Sequence, residues 1–90
     1  MFQMDYQPQG VCSRNIRVRL DDAGRTIEGV EFTGGCNGNL KAVGKLVTGR
    51  SVDEVCELLE GNTCGPRQTS CADQLTRALR AAQDELLAQA

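Results

Sequence analysis

The amino-acid sequence predicts an α+β domain: a small antiparallel sheet of about three strands with three helices packed on one face. Apolar and polar residues alternate through the first third of the chain, whereas apolar residues recur at helical spacing through the remainder. A glycine-rich turn separates the two regimes. Strands that come first and helices that come after argue for an α+β arrangement rather than repeated strand–helix units.

Phe2, Met4 and Tyr6 alternate with polar residues and form a short extended segment that ends at Pro8 and Gly10. Ile16, Val18 and Leu20 then alternate with Arg17, Arg19 and Asp21, the pattern of a half-buried strand with one wet face. Asp21-Asp22-Ala23-Gly24 is a turn, and Ile27 to Thr33 is the returning strand. Val30 and Phe32 share a face of it. Ile27 is out of step with them, so Gly29 marks a bulge. Gly34-Gly35-Cys36-Asn37-Gly38 closes the sheet. A helix is predicted from about Asn39 to Thr48, with Leu40, Val43 and Val47 on one face and Gly49 as its stop. Ser51 opens the next helix, with Glu54 completing a capping box; its stripe is Val52, Val55, Cys56 and Leu59, and Gly61 ends it. Asn62 to Thr69 reads as a loop. The last helix starts near Ser70, with Asp73 completing a second box and Leu75, Leu79, Ala82 and Leu86 as its buried stripe.

Ninety residues make one domain, and a chain this short buries only about 60–65% of the surface its unfolded form exposes. The aromatic residues are Phe2, Tyr6 and Phe32, so the core rests on aliphatic side chains and a second source of stability is expected. A net charge of −2 gives no basic footprint for nucleic acid or an anionic membrane. No apolar run reaches the roughly 20 residues that span a bilayer. The start, MFQMDYQPQG, has neither the basic residues nor the apolar stretch of a secretory signal. The expected location is therefore the cytoplasm, where thiols stay reduced.

Five cysteines are many for such a place. Their odd number and the lack of an export signal argue against a disulfide framework. Histidine is absent, so a soft-metal site must draw on thiolates, with carboxylates as the other charged ligands. Cys12, Cys36, Cys64 and Cys71 fall at turns and element ends, away from the apolar stripes where core cysteines sit. Cys36 and Cys71 are placed at helix N-termini, where partial positive charge favours the thiolate. Arg14 and Arg67 lie close in sequence to two of the ligands and could offset the charge of four thiolates around one divalent ion. Asn37 and Asp73 are further supporting candidates. No C-x-x-C knuckle is present, so no spacing rule demands convergence, and free redox thiols or a Cys64–Cys71 switch stay open. Cys56, on its helical stripe, reads as a small core hydrophobe. The Gly-Gly-Cys-Asn-Gly-Asn turn lacks the residues of a nucleotide site. No residue is assigned a catalytic role.

Gly34-Gly35-Cys36-Asn37-Gly38-Asn39-Leu40 and Thr69-Ser70-Cys71-Ala72-Asp73-Gln74-Leu75 closely resemble the TSCPD domain family. The resemblance runs from about Gly10 to Leu79. That domain occurs at the C-terminus of adenosylcobalamin-dependent ribonucleotide reductases and as short stand-alone proteins. It implies four recurrent cysteines at Cys12, Cys36, Cys64 and Cys71, a metal site, and Ala72 where the name motif has proline. A more distant similarity is to iron–sulfur scaffold proteins of the IscU/SufU type, through Cys12, Cys36 and Cys71. There the scaffold's aspartate is replaced by Arg14, and Cys64 is an addition. A closed four-thiolate shell suits structural zinc. The resulting expectation is a zinc-binding accessory module of a class II ribonucleotide reductase, acting with a reductase-type protein partner. Its rivals are an iron–sulfur cluster scaffold or carrier and a thiol redox protein. The chain is too small to hold a reductase barrel or a cobalamin site. Neither membrane nor nucleic acid is an expected partner.

Overall fold

The computed structural model describes residues 2–11, 13–34, 37–62 and 69–89. Three strands, β1 (Phe2–Tyr6), β2 (Ser13–Leu20) and β3 (Ile27–Gly34), precede three helices, α1 (Asn37–Val47), α2 (Val52–Leu59) and α3 (Cys71–Gln89). The strands form one antiparallel sheet in the order β1-β2-β3. The fold is α+β, as the pattern requires.

Register explains which side chains reach the core. Phe2, Met4 and Tyr6 stand opposite Leu20, Val18 and Ile16. Phe32, Val30 and Ile27 stand opposite the same three residues on the other side. All nine therefore share one face. Ile27 joins them because the ladder slips by one residue: Arg19 pairs with Gly29, Leu20 with Ile27, and Glu28 is left over. The expected bulge is real, with Glu28 as the extra residue and Gly29 beside it. A second slip falls between Ser13 and Asn15, where Arg14 is the extra residue. On the opposite face, Arg17 pairs with Asp5 at 2.8 Å and Arg19 with Glu31 at 2.6 Å.

The hairpin turn is held by Asp21, whose carboxylate accepts from the amides of Arg25 at 2.9 Å and Thr26 at 3.2 Å. Gly24 takes a positive φ of 72°, and a Cβ there would lie 2.9 Å from Leu86 of α3. The turn is thus seated on the last helix.

α1 begins at Asn37, two residues before the expected start, and gives way at Gly49, where φ is +87°. It packs along β3, while α3 packs on β1 and β2 and against α2. Gly44 makes the approach of α1 possible, because a Cβ there would meet the Val30 carbonyl oxygen at 2.8 Å. The link between α1 and α2 is zipped to the start of β3. Ile27 N–H donates to Arg50 O at 2.9 Å, Gly49 N–H to Ile27 O at 2.7 Å, and Val52 N–H to Arg25 O at 2.8 Å. Ser51 caps α2 by accepting from Glu54 N–H at 3.0 Å. Between sheet and helices lies one apolar cluster of Ile16, Val18, Leu20, Ile27, Val47, Val52, Val55, Cys56, Leu75, Ala78, Leu79 and Ala82. No helix among the described residues is long and apolar enough to cross a membrane.

Candidate metal centre

The sequence Thr69-Ser70-Cys71-Ala72-Asp73 enters α3, and its polar side chains bind neighbouring segments. Ser70 Oγ accepts from Asp73 N–H at 3.1 Å, the expected cap. It also donates to Asn62 O at 2.5 Å and accepts from Asn62 Nδ2 at 3.4 Å. The expected reciprocal half of the capping box is replaced. The Asp73 carboxylate accepts from Gly61 N–H at 2.8 Å and from the Thr69 hydroxyl. Aspartate is one carbon shorter than the glutamate that usually closes such a box, and the end of α2 lies within its reach. Asp73 is buried, and these two donors hold its carboxyl below the usual carboxylate range. Arg77 lies 3.8 Å away and adds a weaker pull.

Gln74, also buried, extends the network toward the N-terminal segment. Its Nε2 donates to Thr69 Oγ1 at 3.1 Å, and its Oε1 accepts from Gln9 N–H at 3.1 Å. Gly10 is pressed against the same threonine; a Cβ at Gly10 would stand 3.4 Å from Thr69 Cγ2. From the other side comes β2, whose first residue, Ser13, places Oγ 3.2 Å from Cys71 Sγ. Ser13 pairs in the sheet with Gly34, the last residue of β3. Arg14 runs back over that glycine, where a Cβ would lie 3.3 Å from Arg14 Nε.

Of the expected ligands, Cys71 is described, and it is a free cysteine. Cys12, Cys36 and Cys64 lie outside the described residues, as does Arg67. Among the described residues, no group of three or more Cys, Asp or Glu side chains is placed to hold a metal. Among the described residues near these cysteines in sequence, Ser13 meets both Gly34 and Cys71, and Asn62 meets Ser70. Val11 and Ser13 flank Cys12, Gly34 and Asn37 flank the pair that contains Cys36, and Asn62 and Thr69 flank the stretch that contains Cys64. Asn37 opens α1, and Arg14 is exposed. Cys56 is 2% exposed within α2, and its Sγ donates to Thr76 O at 3.8 Å. Burial pushes its thiol pKa up, as befits a core residue.

Every buried polar side chain among the described residues belongs to this region: Ser13, Ser70, Asp73, Gln74 and Thr76. None of these polar atoms lacks a hydrogen-bond partner. Sequence reasoning missed Ser13 and Gln74. Ser13 has the parity of the wet residues Arg17 and Arg19, and only the slip at Arg14 brings it inward. Gln74 was within reach: continued back one turn, the stripe of Leu75, Ala78 and Leu79 includes Cys71 and Gln74.

The fold and this region define a small α+β domain in which a cluster of hydrogen bonds ties the start of the last helix to Gln9, Gly61 and Asn62, in the segments that precede Cys12 and Cys64. The chain matches the TSCPD domain family over residues 3–83 and belongs to it. That membership relates it to the domain family associated with ribonucleotide reductases. No curated protein and no solved structure matches the chain, so the similarity to iron–sulfur scaffolds rests on residue order alone.

Proposed function

We propose that this domain is a structural metal-binding module whose Cys12, Cys36, Cys64 and Cys71 thiolates hold one zinc ion, and that it serves a separate reductase-type chain in deoxyribonucleotide synthesis. One observation carries the reading: the polar burial of the whole described chain is spent on the start of α3 and the segments next to the cysteines. Hydrogen-bonded groups that fix the approach of ligands are what a preorganised metal site needs around it. The donor chemistry fits a soft divalent ion, because thiols are plentiful and histidine is absent. Such an ion would supply folding free energy, and a closed four-thiolate shell leaves no position for a reactive water. The chain's own residues do the rest. Asp73, Thr69 and Ser70 clamp the end of α2 to the start of α3, and Gln74 holds Gln9, three residues before Cys12. A set of reduced thiolates suits a reducing compartment.

The test is anaerobic purification followed by metal and thiol analysis. One zinc per chain in a colourless protein is the expected result. Brown protein with iron and sulfide would replace this reading by a cluster carrier. Metal-free protein with freely titrating thiols would replace it by a redox protein.

A further inference from the structure

The geometry points to Ser13 as a positioning residue that donates a hydrogen bond to the Cys71 sulfur and thereby sets how nucleophilic that sulfur is. Ser13 Oγ and Cys71 Sγ are 3.2 Å apart. Ser13 is 3% exposed, and the sheet fixes its backbone opposite Gly34. A hydroxyl that leaves water needs a partner, and the sulfur is the side-chain partner it has among the described residues. A neutral thiol could be either donor or acceptor in this contact. A thiolate carries only lone pairs, so once Cys71 has lost its proton the direction is fixed and the hydroxyl donates. Such a charge-assisted bond is stronger than a neutral one. It draws electron density from the sulfur.

Cys71 is only partly buried, so alkylation is a practical readout at this residue. Loss of the Ser13 donor should leave the sulfur electron-rich and quick to react, whether a metal or bulk base holds it deprotonated. The slip at Arg14 is what turns Ser13 inward, so the bulge has a chemical result at the sulfur. This inference rests on the metal reading for its spectroscopic arm and stands apart from it in its alkylation arm.

The experiment compares wild type, Ser13→Ala and Ser13→Thr after loading with cobalt(II). Ser13→Ala should move the sulfur-to-cobalt charge-transfer band to lower energy. Iodoacetamide modification of Cys71, located by peptide mapping, should rise on the order of tenfold, the size expected for loss of one hydrogen bond to a charged group. Ser13→Thr keeps the hydroxyl and should restore both values, which mere packing would not do. Unchanged band and rate in a folded Ser13→Ala protein would overturn the inference. Should Ser13→Ala not fold, cadmium-113 loaded wild type gives a second reading. A hydroxyl proton coupled to the cadmium nucleus supports the bond, and its absence counts against it. If wild type binds no stoichiometric metal, the zinc reading fails. Ser13 is then judged by alkylation of metal-free Cys71 in strongly alkaline buffer, where equal rates for wild type and Ser13→Thr against a faster Ser13→Ala uphold the contact. Equal rates for all three reject it.

Discussion

The two ends of α3 are built on different physics. From its middle onward the buried residues are Ala78, Leu79 and Ala82, and Gln83 Nε2 donates to Gly24 O in the β2–β3 turn at 2.8 Å. At its start, beside the fully buried Leu75, the buried residues include Ser70, Asp73, Gln74 and Thr76, all hydrogen-bonded to specific partners. Apolar burial is nondirectional and stabilises the domain as a whole. Hydrogen bonds fix direction at little net gain in free energy. The contrast teaches that one end supplies stability and the other supplies geometry. The two described cysteines divide in the same way, Cys56 into the apolar cluster and Cys71 into the polar one.

The largest effect should come from the apolar end. Leu79→Ala leaves a cavity at a fully buried site and should cost about 3 kcal/mol in denaturant unfolding, yet leave metal stoichiometry unchanged in the protein that remains folded. Metal loss in that variant would erase the division between the ends. Asp73→Ala strips the partner from Gly61 N–H and Thr69 and should cost about 2 kcal/mol. Unlike Leu79→Ala, it should also speed zinc transfer to a chromophoric chelator. Equal transfer rates in wild type and variant would show that the clamp is scaffolding alone. Cys56→Ala should cost about 1 kcal/mol and keep the full metal content; metal analysis decides whether Cys56 belongs with the core.

The smallest effect sharpens the contrast from the hairpin. Two backbone amides hold the Asp21 carboxyl below its ordinary value, so it is more acidic in the folded than in the unfolded chain. Its contribution is complete above about pH 4 and fades as pH falls through the lower folded value. The Arg25 and Thr26 amide resonances should titrate with that depressed pKa, and Asp21→Asn should abolish the titration. A normal carboxylate midpoint would show that the turn is not fixed by this side chain.

Much of the fold was legible because period-2 and period-3.6 patterns follow directly from burial on one face. Ile16, Val18 and Leu20 announced β2, and Ser51 with Glu54 announced the start of α2. Ile27, out of phase, even revealed a bulge. The site was legible only as a set of residue types at element ends. Nothing in the spacing of Cys12, Cys36, Cys64 and Cys71 predicts a meeting, and contacts such as Ser13 with Cys71 and Gln9 with Gln74 are made by other residues across long stretches of chain. Ser13 was hidden by a slip that no alternation rule contains. Asp73 was expected to complete a cap, and its amide does donate to Ser70, while its carboxylate accepts from Gly61 N–H beyond the end of another helix, a partner that no local pattern names.

The slips at Arg14 and Glu28 have one more consequence. At both ends of the β2–β3 pair the residue numbers of partners sum to the same value, as Ser13 with Gly34 and Leu20 with Ile27 show. In the middle, Ile16 with Phe32 and Val18 with Val30 sum to one more. A slide of the middle of β3 by one residue would erase both bulges at once and move neither end. The price of that regular ladder is a reversed surface: Glu31 would face Ile16, and Val30 and Phe32 would turn to water. The domain therefore has a rival pairing of equal chain length close at hand, and the burial of Val30 and Phe32 against the core is what rejects it.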